Sequence, residues 1–326
     1  MSRVVVFDET GAPEVLRIID EPVGDPGIDE VRIKVEAIGI NRLDQMARAG
    51  MSPRPIRMPH ARLGVEATGT IDALGAGVEG WAIGDAVVVT AVPDMDINGT
   101  YAEHIVLPAD RVIARPAGLD ATSAAALWVA YSTAYGALVE KAAMRPGHHV
   151  LITAASSSVG LAAIQIANQI GAVPLAVTRH AAKRDILLAT GAAAVIVTDH
   201  DDVVEATHRH TAGAGADIVL DSVMGPSLAQ LADAAKPFSG ILVTVGWLDP
   251  RPAPFPASPI TMHRYMSFEH TLDPVAVRRI AAFLTAGIRT GALHPTIDSV
   301  FTLDDIVAAH HHLEQGHQVG KIVVTI

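Results

Sequence analysis

The sequence predicts an α/β fold in two domains, and three observations carry that prediction. From residue 150 onward, short apolar runs alternate with helix-like stretches, the pattern of a parallel sheet flanked by helices. Before about residue 118, wet and dry positions alternate in short runs punctuated by glycine, which suggests a compact β-barrel. At 326 residues the chain is also too long for one ordinary core.

Composition narrows the class. Half the residues are hydrophobic and 18% are charged, which suits sheets buried on both faces. No stretch of about 18 residues is apolar enough to cross a bilayer; 121–143 comes nearest but carries Glu140 and Lys141. The opening MSRVVVFDET has too short an apolar run, and too early an acid, for a signal peptide. A net charge of −11 disfavours nucleic acid as a partner. With no cysteine there are no disulfides and no thiolate ligand for zinc. Together these indicate a cytoplasmic protein with neither nucleic-acid nor membrane partners.

In chain order, Val31, Ile33, Val35 and Ala37 alternate with Arg32, Lys34 and Glu36, giving one buried and one wet face. Residues 64–74, 86–92 and 101–107 read as further strands, with Gly75, Gly77, Gly80, Gly84 and Asp85 turning between them. In 119–136, Asp120 or Thr122 is placed to cap one alanine-rich helix. Tyr131 and Tyr135 on that helix have two readings, core or substrate-facing.

Residues 150–183 organise the second domain. Val150, Leu151 and Ile152 form a strand; 155–158 turn; Leu161, Ile164, Ile166 and Ile170 mark a helix that stops at Gly171; and 172–177 form the next strand. Ala155, Ser157 and Gly160 stand where a G-x-G-x-x-G turn has its glycines, so only the last survives. The hydroxyls of Ser156, Ser157 and Ser158, with Val159 at the start of the helix, can still receive a pyrophosphate on the positive end of the helix dipole. The other reading is an ordinary serine-capped turn. After the second strand come Thr178, Arg179 and His180, followed by Lys183. An acid there accepts from a ribose 2′-OH, whereas cations suit a 2′-phosphate, so these residues favour NADPH over NADH. A solvated surface turn is the alternative.

Strands at 193–197, 216–221 and 240–245 then alternate with helices at 201–211 and 227–235. Thr198, Ser222 with Val223, and Gly246 fall at the carboxyl edge, where ligands bind open α/β sheets. Residues 247–259 hold five prolines and exclude regular structure, as a lid or a subunit contact would. Arg264 and Tyr265 lie in the apparent last strand of this sheet. A helix at 275–290, a strand near Ser299, a helix at 303–313 and a strand at 321–326 complete the pattern. Lys321 enters that strand, where it meets a phosphate or ribose or is simply solvated. His310, His311 and His312 face three directions on one helix, so no metal site is expected from them. No G-x-S-x-G elbow supports a hydrolase.

In their order and spacing, GINRLDQMARAG (39–50), RLGVEATGTIDALGAGVEGWAIGDAVV (62–88), GTYAEHIVLPAD (99–110), AASSSVGLAAIQIA (154–167), TRHAAKRDILLATGAAAVI (178–196) and GKIVVTI (320–326) cover nearly the whole chain. The chain resembles the zinc-independent quinone oxidoreductases, the zeta-crystallin-like branch of the medium-chain dehydrogenase/reductase superfamily. The resemblance implies a GroES-like β-barrel catalytic domain at 1–118 and 271–326, and a Rossmann nucleotide-binding domain at 119–270. In zinc alcohol dehydrogenases of the same fold, a cysteine and the histidine of a G-H-E segment bind the metal; Asn41 and Val65 occupy those positions here. The resemblance thus implies no catalytic zinc. It implies Asn41 as an amide donor near the nicotinamide or the substrate oxygen, and Thr133 against the nicotinamide ribose. Ser222, Val223 and Gly246 would lie near the cofactor. Asn41 also has a turn-capping reading, Asp44 one of orienting the turn, and Glu66 needs a partner beside its apolar strand.

The function implied is hydride transfer from NADPH to a quinone or an α,β-unsaturated carbonyl, in a homodimer. Two alternatives stay open. One is a non-catalytic NADPH-binding protein with a crystallin-like or regulatory role. The other is a 2-enoyl-thioester reductase, with Arg54 and Arg57 as a basic mouth for a CoA phosphate.

Overall fold

The protein is described from a computed structural model covering residues 1–52 and 54–326; Pro53, in the 46–61 loop expected to shape the substrate pocket, lies outside the described residues. The first part of the chain is β-rich: β1 (Ser2–Phe7), β2 (Arg17–Glu21), β3 (Glu30–Ile40), β4 (Ala61–Arg62), β5 (Ala67–Leu74), β6 (Ala86–Val89), β7 (His104–Pro108) and β8 (Val112–Ala114). Helices α1 (Arg42–Arg48) and α2 (Met95–Asn98) fall between them. The alternation read in β3 holds: Val31, Ile33, Val35 and Ala37 are buried. On the other face, Arg32 pairs with Asp72, and Glu36 with Arg115. The strand expected from residue 64 begins only at Ala67, because the Gly64 N–H donates to the Asp44 carboxylate rather than to a neighbouring strand.

The single helix expected over 119–136 is broken. α3 (Ala121–Ala125) starts at Asp120, whose carboxylate accepts from the Ser123 N–H at 2.7 Å. α4 (Trp128–Tyr135) follows, then a π-helical segment, Gly136–Lys141. Trp128 is fully buried and its indole N–H donates to the Thr90 carbonyl at 2.6 Å. At the start of the π segment, a side chain on Gly136 would place its Cβ 1.8 Å from the Tyr265 hydroxyl oxygen, so glycine there lets the ring lie against the backbone.

The parallel sheet follows as β9 (His149–Ile152), α5 (Ser158–Ile170), β10 (Val173–Thr178), α6 (Arg184–Ala189), β11 (Ala194–Val197), α7 (Val203–His210), β12 (Ile218–Asp221), α8 (Leu228–Asp233), β13 (Ile241–Thr244) and β14 (Thr261–Arg264). The six strands are hydrogen-bonded in the order β11-β10-β9-β12-β13-β14, every pair parallel. The order reverses between β9 and β12, which makes their carboxyl ends the switch point where ligands bind such sheets. Leu151, Leu175, Ile196, Val219 and Leu242 pack with Leu228 and Leu231 in one buried cluster. The proline-rich stretch 247–259 has no regular structure, as read.

After α9 (Phe268–Thr271) and α10 (Pro274–Thr290), β15 (Ile297–Thr302), α11 (Ile306–Gln315) and β16 (Lys321–Thr325) complete the described fold. β16 pairs antiparallel with β3 and parallel with β15. The last strands thus join the first sheet, in the order β15-β16-β3-β5-β6-β8, with β7 also on β3. Two compact units result: residues 1–129, 271–281 and 294–326 form the first, and residues 130–270 and 282–293 the second. α3 falls in the first because it packs on β3 and β5.

Gly136→Ala is expected to destabilise the protein by about 1–3 kcal/mol through overpacking against Tyr265. Tyr265→Phe in the same background should recover part of the loss by removing the nearest atom. Urea unfolding of the three proteins checks this; equal midpoints for Gly136→Ala and wild type would refute the contact.

Candidate active site

In the second unit, the polar residues singled out by sequence collect at the carboxyl edge of the parallel sheet. Thr153, just past β9, donates from Oγ1 to Asp221 at 2.8 Å and accepts from the Ser222 N–H at 2.9 Å. The Asp221 carboxylate also receives the N–H groups of Val223 and Met224, each at 2.9 Å. Burial raises the Asp221 pKa, and those donors oppose the rise. This lattice locks the ends of β9 and β12 side by side and fixes Ser222 and Val223.

The turn from β9 into α5 achieves tightness with one glycine. Ala154 takes a left-handed φ of 44°. Ser157 caps α5, accepting from the Gly160 N–H at 3.1 Å. A Cβ on Gly160 would lie 2.6 Å from both Cα and O of Ala155, so the surviving glycine serves close packing of helix on turn. The three serines therefore differ. Ser157 is spent on the cap, Ser156 accepts from the Lys183 ammonium at 3.1 Å, and Ser158 opens the helix with Val159 behind it.

At the ends of β10 and β11, Thr178 is buried while Arg179 and Thr198 are exposed, the Thr198 N–H donating to the Thr178 carbonyl at 2.9 Å. Gly246 follows β13 so closely that a Cβ there would meet the Ser222 carbonyl at 2.9 Å. Asp199, which the sequence reading passed over, puts an acid on this edge, 2.8 Å from His180 Nδ1. Its one signal was its place at a strand end. Hydroxyls, two cations, a helix start whose first N–H groups have no intrahelical acceptor, and close backbone approaches fit a phosphorylated dinucleotide.

Tyr131 and Thr133 sit on α4. Tyr131 is 2% exposed and its hydroxyl donates to Gln165 Oε1 at 2.8 Å, which favours the core reading over contact with substrate. Thr133 is 8% exposed.

The first unit holds a second group: Asn41, Asp44, Glu66 and Lys321. β16 lies beside β3, so Lys321 at its start comes next to Asn41 just past the end of β3. The Lys321 ammonium donates to Asn41 Oδ1 at 2.6 Å and pairs with Glu66 Oε2 at 2.5 Å. Lys321 is 2% exposed and Glu66 0%, so the solvated reading of Lys321 is corrected. A buried carboxylate demands a partner, and an ammonium that reaches it loses water in turn. The second Glu66 oxygen takes the Val129 N–H at 2.7 Å. Asn41 Nδ2 donates to the Gly39 carbonyl at 3.0 Å and lies 3.4 Å from Glu66 Oε2.

Asp44 anchors the start of α1. Its carboxylate receives the Asn41 N–H at 2.7 Å, the Gly64 N–H at 3.2 Å and the Tyr101 hydroxyl at 3.2 Å. Burial lifts its pKa to about 6 against the pull of those donors and of Lys321. Asp44 thus orients the turn, as read. Behind it, His310 is 0% exposed, edge-on to the Tyr101 ring, and neither ring nitrogen has a hydrogen-bond partner among the described residues. Burial, with the nearby charges of Arg48 and His311, lowers its pKa to about 3. Its neighbours turn elsewhere, His311 to Glu14 and His312 to Asp298.

These residues do not fit a zinc ion. The chain has no cysteine, Val65 is a hydrocarbon, and the oxygens of the group are already engaged: Asn41 Oδ1 and Glu66 Oε2 hold the Lys321 ammonium, Glu66 Oε1 takes the Val129 N–H, and the Asp44 carboxylate takes three donors. The basic mouth expected from Arg54 and Arg57 is also corrected. Arg57 is held by Asp96 through contacts of 2.7 and 2.8 Å, which neutralises its charge.

Residues 27–117 match the alcohol dehydrogenase GroES-like domain, and residues 190–324 match the zinc-binding dehydrogenase domain. The quinone oxidoreductase of Lama guanicoe is 29% identical, over 100% of this chain and 98% of its own. A 2-haloacrylate reductase of a Burkholderia species is 28% identical over 99% of each. The structure of Escherichia coli quinone oxidoreductase complexed with NADPH superposes with a TM-score of 0.91 at 26% identity, covering 100% of both chains. A GroES-like domain joined to a parallel sheet of this strand order defines a medium-chain dehydrogenase/reductase. Within that superfamily the chain is similar over its full length to quinone oxidoreductases.

His310 gives a pH prediction. Its folded pKa lies below the unfolded value near 6.5, so its contribution to stability is fully present above pH 6.5 and is lost as the pH falls toward 3. Asp44, raised to about 6, works the other way: its contribution is full below its unfolded pKa and is lost as the pH rises through 6. Replacing His310 with Phe should therefore shift the stability difference from wild type by about 2 kcal/mol in the variant's favour between pH 7 and pH 5. Urea titrations at the two pH values measure it. An unchanged difference would mean that His310 titrates normally.

Proposed function

We propose that the protein is an NADPH-dependent, zinc-independent reductase acting on a quinone or an α,β-unsaturated carbonyl. The observation that carries the reading is the Lys183 ammonium, which reaches back from the end of β10 to Ser156 in the phosphate turn at 3.1 Å, with Arg179 beside it in sequence. Two cations where NAD-binding chains carry an acid suit a 2′-phosphate. The quinone oxidoreductase crystallised with NADPH supports the same cofactor, and the 2-haloacrylate reductase supports an activated alkene as an acceptor class.

NADPH supplies the hydride when bound. The residues proposed to hold it are Ser156, Ser158, Val159, Thr178, Arg179, Lys183, Thr198, Ser222, Val223 and Gly246, with Ser157 fixing the turn and Thr133 at the nicotinamide ribose. Asn41 is proposed to donate an amide hydrogen to the acceptor oxygen as negative charge builds there. A quinone needs no general-acid side chain, since its reduced oxygens take protons from water. The ammonium of Lys321 fills the place of a cation, which supports independence from zinc. The CurK enoyl reductase, 27% identical over 99% of both chains, supports the 2-enoyl-thioester reading, although Arg57 is paired with Asp96; the non-catalytic reading predicts binding without turnover. Among the described residues no helix is long and apolar enough to cross a membrane, and we assign the protein to the cytoplasm. β14, the terminal strand of its sheet, is the proposed edge of a homodimer.

With EDTA present, steady NADPH oxidation is expected with 1,4-benzoquinone, 9,10-phenanthrenequinone or a simple enone. NADPH binding without turnover on any acceptor would favour the non-catalytic reading. Replacing both Arg179 and Lys183 with Ala should raise KM for NADPH about tenfold or more while leaving that for NADH nearly unchanged. Equal effects on the two cofactors would remove the 2′-phosphate assignment. Asn41→Ala should lower kcat/KM by about 10²-fold in a folded protein; wild-type kinetics would leave Asn41 a turn residue.

A further inference from the structure

We infer that Lys321 is a positioning residue: clamped by Glu66, its ammonium fixes which way the Asn41 side-chain amide points and so keeps an amide hydrogen available for the acceptor. The inference rests on the proposed role of Asn41 as a donor. A carboxamide can sit in either of two orientations that differ only in exchanging oxygen and nitrogen. Lysine removes that freedom. An ammonium has three donors and no acceptor, so the atom facing it at 2.6 Å has to be Oδ1.

Nδ2 then lies on the opposite side of the amide. One hydrogen goes to the Gly39 carbonyl at 3.0 Å. Among the described residues, the other has only a 3.4 Å approach to Glu66 Oε2, an oxygen already bound to Lys321 at 2.5 Å. That weakly held hydrogen is the one a ligand oxygen can take over. Asn41 is half-buried, whereas Glu66 and Lys321 are sealed, so of the three only the amide has access to a ligand.

The clamp cannot slacken by drifting. A Cβ on Gly39 would lie 2.6 Å from the Lys321 Cε, 2.7 Å from Glu66 Oε2 and 2.3 Å from the Ala125 carbonyl oxygen, so the pair is pressed against bare backbone. Without the ammonium, the Glu66 carboxylate would be the strongest acceptor within reach of Nδ2 and would draw the amide onto itself. The buried pair thus does more than neutralise itself: the cation occupies the carboxylate so that the amide does not.

The test uses the full chain. Lys321→Met leaves Glu66 uncompensated, so it is paired with the charge-balanced Lys321→Met/Glu66→Gln; Asn41→Asp keeps an oxygen toward Lys321 and removes the donor. NADPH binding is followed by nicotinamide fluorescence, turnover with 1,4-benzoquinone, and the Asn41 side-chain amide by ¹⁵N NMR, assigned by its loss in Asn41→Ala. In the double variant, kcat should fall about tenfold with NADPH affinity unchanged, and the Asn41 amide hydrogens should exchange faster with solvent. Asn41→Asp, which removes the donor outright, should lose more, about the 10²-fold expected for Asn41→Ala. A double variant that binds NADPH about tenfold more weakly, with unaltered amide exchange, would make Lys321 a cofactor ligand and overturn the inference, as would an unchanged kcat.

If the double variant does not fold, the wild-type protein still decides. A slowly exchanging Lys321 ammonium that correlates across its hydrogen bond with the Asn41 side-chain carbonyl carbon supports the clamp. Absence of that correlation refutes it. If the wild type turns over no acceptor, the reductase reading fails, while the two NMR measurements still report on the clamp itself.

Discussion

The pairing of Lys321 with Glu66 is the constraint around which the first unit is built. Desolvating two charges costs several kcal/mol each, and their attraction recovers this only with close geometry and further hydrogen bonds. Those further bonds come from Asn41 and the Val129 N–H, which draws the end of β3, the approach to β5, the start of α4 and the start of β16 to one point. Removing one partner of such a pair costs about 3–5 kcal/mol, a large share of a total stability of about 5–15 kcal/mol. Gly39 is a consequence of the pair, since any Cβ there would displace both charged groups.

The second unit meets a different demand, a sharp turn from β9 into α5. Glycine-rich turns meet it by having no side chains in the way. Here the turn instead accepts a left-handed alanine at 154, spends Ser157 on the cap, and keeps glycine only at 160, where helix and turn touch. The Asp221–Thr153 lattice supplies rigidity from the neighbouring strand. Fewer glycines also mean less chain entropy to lose on ordering the turn.

Local signals were read well because they are local. The alternation in β3, the buried strands around 150–178, the stop at Gly171 and the prolines of 247–259 each declare themselves within a dozen residues. The tight turn from β9 into α5 is legible for the same reason, although its glycine pattern is degenerate. What escaped depended on partners far along the chain. Glu66 was seen to need a partner, and Lys321 was seen to stand at a strand entry, but nothing in one sequence joins them. The break in the 119–136 helix escaped because alanine and apolar residues run through it without a breaker. The feature beside the break is tertiary: Trp128, the first residue of α4, is seated by its hydrogen bond to the Thr90 carbonyl, 38 positions away. For Tyr131 the sequence favours the core reading over the site, and its hydrogen bond to Gln165, 34 positions away, supports it.

The clamp also orders events in time. Lys321 and Asn41 lie 280 positions apart, so the first unit cannot complete its sheet or neutralise Glu66 until residues near 321 have left the ribosome. The parallel sheet, contained within one run from 149 to 264, has all its strands in hand well before then. During synthesis the second unit is therefore able to fold while the first unit still lacks β15 and β16 and Glu66 still lacks its ammonium partner. That interval is when the nascent chain most needs protection from aggregation.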